Sequence, residues 1–199
     1  IQSGASSTTL LTVDPTFVAA RVSDHPPEIL GAYAIGVSTG AVATPAANST
    51  LFSFRWAPSV STQLCMVRRV EIGAFVATAV TTSQQVSVNL TVARQWTVND
   101  SVGTSVLFTQ TNSQKLRTSM PTSSFASGGD IRVPTTAVNT AGTRTLDTNA
   151  MGYVNGTSGT AVGTTVFNTT PIFQHQPGDY PIIFATNDGF VINTGPTAI

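Results

Sequence analysis

From Val86 to Val98 the chain reads VSVNLTVARQWTV. Alternate residues give one set, Val86, Val88, Leu90, Val92, Arg94, Trp96 and Val98, and a second set, Ser87, Asn89, Thr91, Ala93, Gln95 and Thr97. Side chains on a strand point to opposite faces in turn, so this period-two pattern demands a half-buried β-strand and excludes an amphipathic helix. One residue violates it: Arg94 falls in the apolar set. The stretch Leu64–Val80 repeats the anomaly, because Arg68 shares its phase with Leu64, Met66, Val70 and Ile72. A buried guanidinium without a partner costs several kcal/mol, roughly 3–5 when a buried pair is broken. Three resolutions exist: an internal carboxylate or carbonyl holds the charge, a bulge at Gly73 shifts the phase, or another subunit covers that end of the face. Arg68 and Arg94 are expected to be held by carboxylate or backbone oxygens, with Asp100 or Asp147 as the partner of Arg94.

Other stretches follow the same period. LFSFRW places Phe52, Phe54 and Trp56 on one face. NDSVGT (Asn99–Thr104) is a turn leading into SVLFT, IRV and GTRTLD are short strands, and YPIIFA-TNDG-FVINTG reads as a hairpin. Residues 149–165 are rich in Gly and Thr and are expected to be an exposed loop. No stretch keeps a 3.6-residue period over three turns, and no internal repeat is visible. Many short strands separated by Gly, Pro, Asn and Asp predict an all-β fold: an antiparallel β-sandwich, jelly-roll-like. Residues 1–50, with Pro15, Pro26 and Pro27 and no sustained period, are expected to form an extended N-terminal arm and a loose lead-in; residues 51–199 are the sandwich domain.

Only 9% of the 199 residues are charged, with nine basic and nine acidic side chains and no net charge. That is far below the usual quarter. A neutral, Thr-rich coat fits a protein that lives in an assembly, and equally a β protein with a neutral surface. There is no basic patch to attract nucleic acid and no apolar run long enough for a membrane-spanning helix. A single cysteine, Cys65, rules out an internal disulfide. The first residue is Ile1 and no signal peptide is visible, which reads as missing upstream residues or a processed N-terminus.

Motifs that would carry chemistry are weak. GVSTG at Gly36–Gly40 matches the nucleophile elbow around Ser38, yet that motif needs a following helix and Pro45 stands in the way. His25 and His175 are far apart and lack companions at metal spacing. Asp130, Asp147, Asp179 and Asp188 sit beside glycines or at strand ends, where turn roles account for them. The sequons at Asn48, Asn89, Asn99, Asn155 and Asn168 are expected to be unused, and Cys65 is expected to be a small buried or interfacial side chain. No cofactor, metal or catalytic residue is predicted.

Taken together, LFSFRWA (51–57), LTVARQWTVNDSVGT (90–104), KLRTSM (115–120), GTRTLD (142–147) and YPIIFATNDGFVI (180–192) resemble a family of tailed-bacteriophage virion structural proteins. The resemblance runs in the same order over residues 51–192 and includes no catalytic motif. It implies a virion component: a decoration (cement) protein of the head, or a neck or tail part. Members usually carry Gly-Gly where this chain has Val102-Gly103. They also usually continue past the last hairpin with a Trp-containing strand; here the chain is shorter, or a partner supplies that strand, or the C-terminus is incomplete.

The expectation is therefore a non-enzymatic phage structural protein that stabilises the head through subunit contacts. Its partners would be copies of itself, as a trimer, and other virion proteins such as the major capsid protein, with no nucleic acid and no membrane. It would reside in the phage particle, assembled in the host cytoplasm. Contacts are expected from the arm (Ser7–Pro27), with Leu10, Leu11, Val13, Phe17 and Val18, and from the segment Gly152–Thr165, with Tyr153 and Val154. A sugar- or receptor-binding spike domain is the rival. It predicts exposed aromatics among Trp56, Trp96, Tyr153 and Tyr180, although Trp96 is in phase with the core. A hydrolase would instead require Ser38 or a carboxylate pair to converge in a cleft.

Overall fold

The computed structural model describes residues 13–14, 19–20, 33–43, 45–106, 128–176 and 179–196. The strands are, in order, β1 (Val13–Asp14), β2 (Ala19–Ala20), β3 (Thr50–Trp56), β4 (Cys65–Val67), β5 (Arg69–Phe75), β6 (Gln85–Arg94), β7 (Thr104–Val106), β8 (Gly129–Val133), β9 (Thr145–Leu146), β10 (Gly152–Thr157), β11 (Thr165–Gln174), β12 (Ile182–Phe184) and β13 (Asp188–Thr194). The fold is all-β and antiparallel, as the alternation requires. One sheet has the order β10-β6-β13-β3-β8-β7, and β9 pairs with β6. β4 pairs with β12 and β5 with β11. Because β4 runs into β5 across Arg68, these two pairs are one long ribbon folded at that residue. The His175 N–H donates to the Arg68 carbonyl there at 2.8 Å.

The ribbon covers one face of the sheet, and the core lies between them. Register places Val92, Phe190, Phe54, Ile131 and Val106 side by side across five strands. Against this row the ribbon sets Cys65, Ile172, Ile182 and Phe184. Phe184 meets Phe54 and Phe190 with ring centroids 6.2 and 6.1 Å apart. Each such side chain contributes about 1.5–3 kcal/mol when fully buried. Phe52, Phe54 and Trp56 do share the inward face. Tyr33 and Ile35, in the expected lead-in, also pack on this core, so the body draws on residues upstream of 51.

Four local expectations are corrected. First, the phase of Leu64–Val80 breaks at Arg68 itself: Cys65 and Val67 face inward in β4, whereas Val70 and Ile72 do so in β5. Leu64 and Met66 consequently face out. A bulge does lie opposite Gly73, but the extra residue belongs to β11, between Phe167 and Thr170. Second, YPIIFA and FVINTG do not form a hairpin. Asn187, at φ 68°, makes the turn, but β12 stays in the ribbon while β13 enters the sheet between β3 and β6. β13 is buried on both faces, and its apolar, β-branched run suits a central strand. Third, part of the Gly/Thr-rich segment 149–165 is the regular strand β10, not a loop. Gly152 and Gly156 admit the Ile172 and Val166 carbonyls of β11 against its inner face, where any Cβ would collide. Fourth, β6 ends at Arg94 because Gln95 adopts φ 52°. That turn carries Trp96 to the opposite face, where it packs with Ala93 and Val191.

Candidate functional site

The face of the sheet that the ribbon leaves open is closed at one end by two loops, residues 95–103 and 134–144. They are stitched backbone to backbone: Thr97 N–H to the Thr143 carbonyl at 2.9 Å, and Ser101 and Thr140 exchanging both bonds at 2.9 Å. Gly142 lies so close to the Val98 and Asn99 carbonyls that no side chain fits. Between the loops sits a buried ion pair that the sequence did not announce. Arg144 donates to Asp100 Oδ1, and the two side chains are 4% and 0% exposed. The same oxygen accepts the Gly142 N–H at 2.9 Å. The second guanidinium nitrogen donates to Thr50 Oγ1 at 3.0 Å, and the group lies 4.5 Å from the centre of the Trp96 ring. Burial pushes the Arg144 guanidinium down to about 10, which still leaves it charged at neutral pH. Asn139 completes the seal: its N–H donates to the Thr50 carbonyl at 3.0 Å, and its side-chain amide donates to the Arg132 carbonyl at 3.0 Å.

The two arginines that broke the alternation lie outside this cluster. Arg94 forms a bidentate pair with Asp147, at 3.0 and 3.1 Å, and its side chain is 54% exposed. That hydrogen bond is the main reason its pKa is raised. Arg94 stays in the apolar phase but extends beyond the covered area, so no buried charge results. Asp147 is thus its partner and Asp100 is not. Arg68 is exposed at the fold of the ribbon. A further arginine, Arg55, donates to the side-chain oxygens of Asn99 and Asn187, the latter at 2.6 Å, tying the 95–103 loop to the turn before β13. Burial lowers its pKa, opposed by the charge of Asp130. Arg144 and Arg55 carried no local signal. Their burial is created by loops distant in sequence.

The residues considered for chemistry do not converge. Ser38 is exposed, its hydroxyl donates to the adjacent Thr39 carbonyl at 3.1 Å, and the residues after it are not helical. His175 Nε2 bonds the Asp179 carbonyl at 2.8 Å, and His25 lies outside the described residues. Asp130 is engaged by Arg132 at 3.3 Å. Among the described residues no three His, Cys, Asp or Glu side chains gather. Cys65 is buried in the core and its thiol is pushed up to about 12 by desolvation. Of the sequons, Asn89 is inside β6 and Asn99 is taken by Arg55, whereas Asn48, Asn155 and Asn168 are exposed.

The expected contact residues divide. Leu10, Leu11, Phe17 and Val18 lie outside the described residues, and Val13 is in β1, which pairs with β2. Tyr153 is 69% exposed. Val154 turns inward and packs, partly buried, on the core. Trp56 and Trp96 are buried, while Tyr180 is 94% exposed. On the outer face of the ribbon Met66 and Ile183 are direct cross-strand neighbours and both are exposed, with Leu64 also exposed in the same phase. Compared with family models, with curated proteins and with solved structures, the chain matches none.

Proposed function

We propose that this chain is a structural component of a tailed-bacteriophage particle, a decoration (cement) protein that strengthens the head by binding copies of itself and the major capsid protein. The observation that carries the reading is the apolar outer face of the β4–β12 ribbon, with Leu64, Met66 and Ile183 exposed on it. Clustered exposed apolar side chains mark protein contacts. The buried ion pair supports it by fixing loops rather than presenting a reactive group. The resemblance over residues 51–192 supplies the virion context. Gold-labelled antibody against the chain, viewed on purified particles by electron microscopy, tests the proposal. Regular labelling of heads is expected; particles devoid of the chain would refute it.

A neck, tail or spike component that binds carbohydrate is the second reading, favoured only by the exposure of Tyr153 and Tyr180. The burial of Trp56 and Trp96 removes its two largest stacking surfaces. A glycan array separates the two: binding abolished by Tyr180→Ala selects the second.

A further inference from the structure

We infer that β10 is a self-pairing edge, where a second copy of this chain extends the sheet by two-fold antiparallel strand addition. The inference rests on the self-associating reading above. Backbone directions follow from the hydrogen bonds. Ser158 N–H donates to the Gln84 carbonyl, whereas Gly195 N–H donates to the Ser87 carbonyl. Even residues of β6 therefore bond β10 and odd ones bond β13, in line with the register Val154↔Val88 and Gly156↔Val86. It follows that Tyr153, Asn155 and Thr157 aim their N–H and C=O groups away from β6. β10 is the terminal strand of the sheet, so no described strand receives them.

Edges exposed to water are normally blunted by charge, proline, bulges or shortness. Such devices are seen elsewhere among the described strands. β7 spans three of the described residues. β5 carries the Arg69–Glu71 pair and faces a partner bulged in three places. β10 has none of these: its register is unbroken, and no Asp, Glu, Lys or Arg occurs between Asp147 and Asp179 and no proline before Pro171. β11 braces its inner face through Gly152 and Gly156, which holds the strand straight. A second copy fits because the row is self-complementary. With the axis at Asn155, that residue bonds its own counterpart, and Tyr153 bonds Thr157 of the second copy, with no like charges opposed. A dimer then replaces the trimer expected from the sequence as the building unit.

The test combines sedimentation equilibrium with amide hydrogen exchange on the whole chain. The wild type is expected at twice its 20.7 kDa mass, with the Tyr153, Asn155 and Thr157 amides slowing at least tenfold above the dissociation constant. Asn155→Pro removes an outward N–H without touching the β6 ladder. Asn155→Lys, which keeps the backbone intact should the proline fail to fold, opposes two ammonium groups at the axis. Both are expected to be monomeric. A wild type that stays monomeric, or a dimer that survives Asn155→Lys with those amides exchanging freely, overturns the inference. Neither outcome alters whether labelled heads carry the chain, so the two proposals fail separately.

Discussion

Replacing Asp100 by alanine is the perturbation whose outcome follows most directly from the structure. It leaves the Arg144 guanidinium in a site 4% exposed to water. Removing one partner of a buried pair costs about 3–5 kcal/mol, because the remaining charge is desolvated without compensation. Two contacts survive here: Thr50 Oγ1 at 3.0 Å and the Trp96 ring at 4.5 Å. A desolvated cation–π contact is worth up to roughly 2 kcal/mol, which favours the lower end, about 3 kcal/mol. The Gly142 N–H also loses its acceptor, so the two loops lose a link as well as a charge. Replacing both residues, Asp100→Leu with Arg144→Met, removes the stranded charge and is expected to cost less than Asp100→Ala alone. Urea denaturation followed by tryptophan fluorescence reads both changes, and Trp96 reports locally. The reasoning fails if Asp100→Ala costs under about 1 kcal/mol, or if the double variant costs as much as the two single ones combined.

Arg94→Leu removes an exposed pair, and such pairs are worth about 0–1 kcal/mol; a urea midpoint close to wild type is expected, and a loss above about 2 kcal/mol would mean the site is less solvated than its 54% exposure indicates. Val102 adopts φ 62°, a region that costs a β-branched residue roughly 1–2 kcal/mol, so Val102→Gly should raise stability by a few tenths to about 1 kcal/mol after the entropy of glycine is counted; thermal melting decides. Phe184→Ala should cost about 3–5 kcal/mol, the range for buried aromatics, and a smaller loss would argue against the ribbon as an integral part of the core. For Cys65 the folded thiol is held protonated up to about 12, above its ordinary 9.0. The unfolded chain releases that proton first, so stability is intact below pH 9 and falls between pH 9 and 12, by up to about 4 kcal/mol. Comparing wild type with Cys65→Ala isolates this slope from Arg144, whose lowered pKa acts in the opposite sense above pH 10; equal slopes in the two proteins would refute the assignment.

What was legible in the sequence was what repeats locally. Period two in Val86–Val98 and in LFSFRW placed Val88, Leu90, Val92, Phe54 and Trp56 on the inner face, because pleating ties side-chain direction to residue parity. Parity fails wherever the backbone leaves the extended region. Gln95 shows it in a single residue: its turn moves Trp96 across the sheet while the alternation in the sequence continues undisturbed. Arg68 shows the same, since the break between β4 and β5 exchanges inner and outer sets and turns Met66 toward solvent. Pairing partners were equally invisible. TNDG has the composition of a hairpin turn, but whether the flanking strands pair depends on which offers the better neighbour. β13, apolar on both faces, is stabilised more between β3 and β6 than beside the three-residue β12.

The charges follow from this geometry. An arginine at a strand end, such as Arg94, interrupts the pattern conspicuously yet reaches water. Arg144, two residues after a turn glycine and between two threonines, interrupts nothing and is buried because the 95–103 loop is laid over it. Burial of a charge is set by what folds on top of it, which is a property of contacts 44 residues apart along the chain. In a protein with only nine acidic and nine basic side chains, that places the rigid, charge-locked part at the loop-covered end of one face. Among the described residues no strand pairs with the outer edge of β10, and Leu64, Met66 and Ile183 on the ribbon are exposed. Along β10, burial would displace water from neutral groups without stranding an ion, whereas on the ribbon it must leave the exposed Arg68 and the Arg69–Glu71 pair in water.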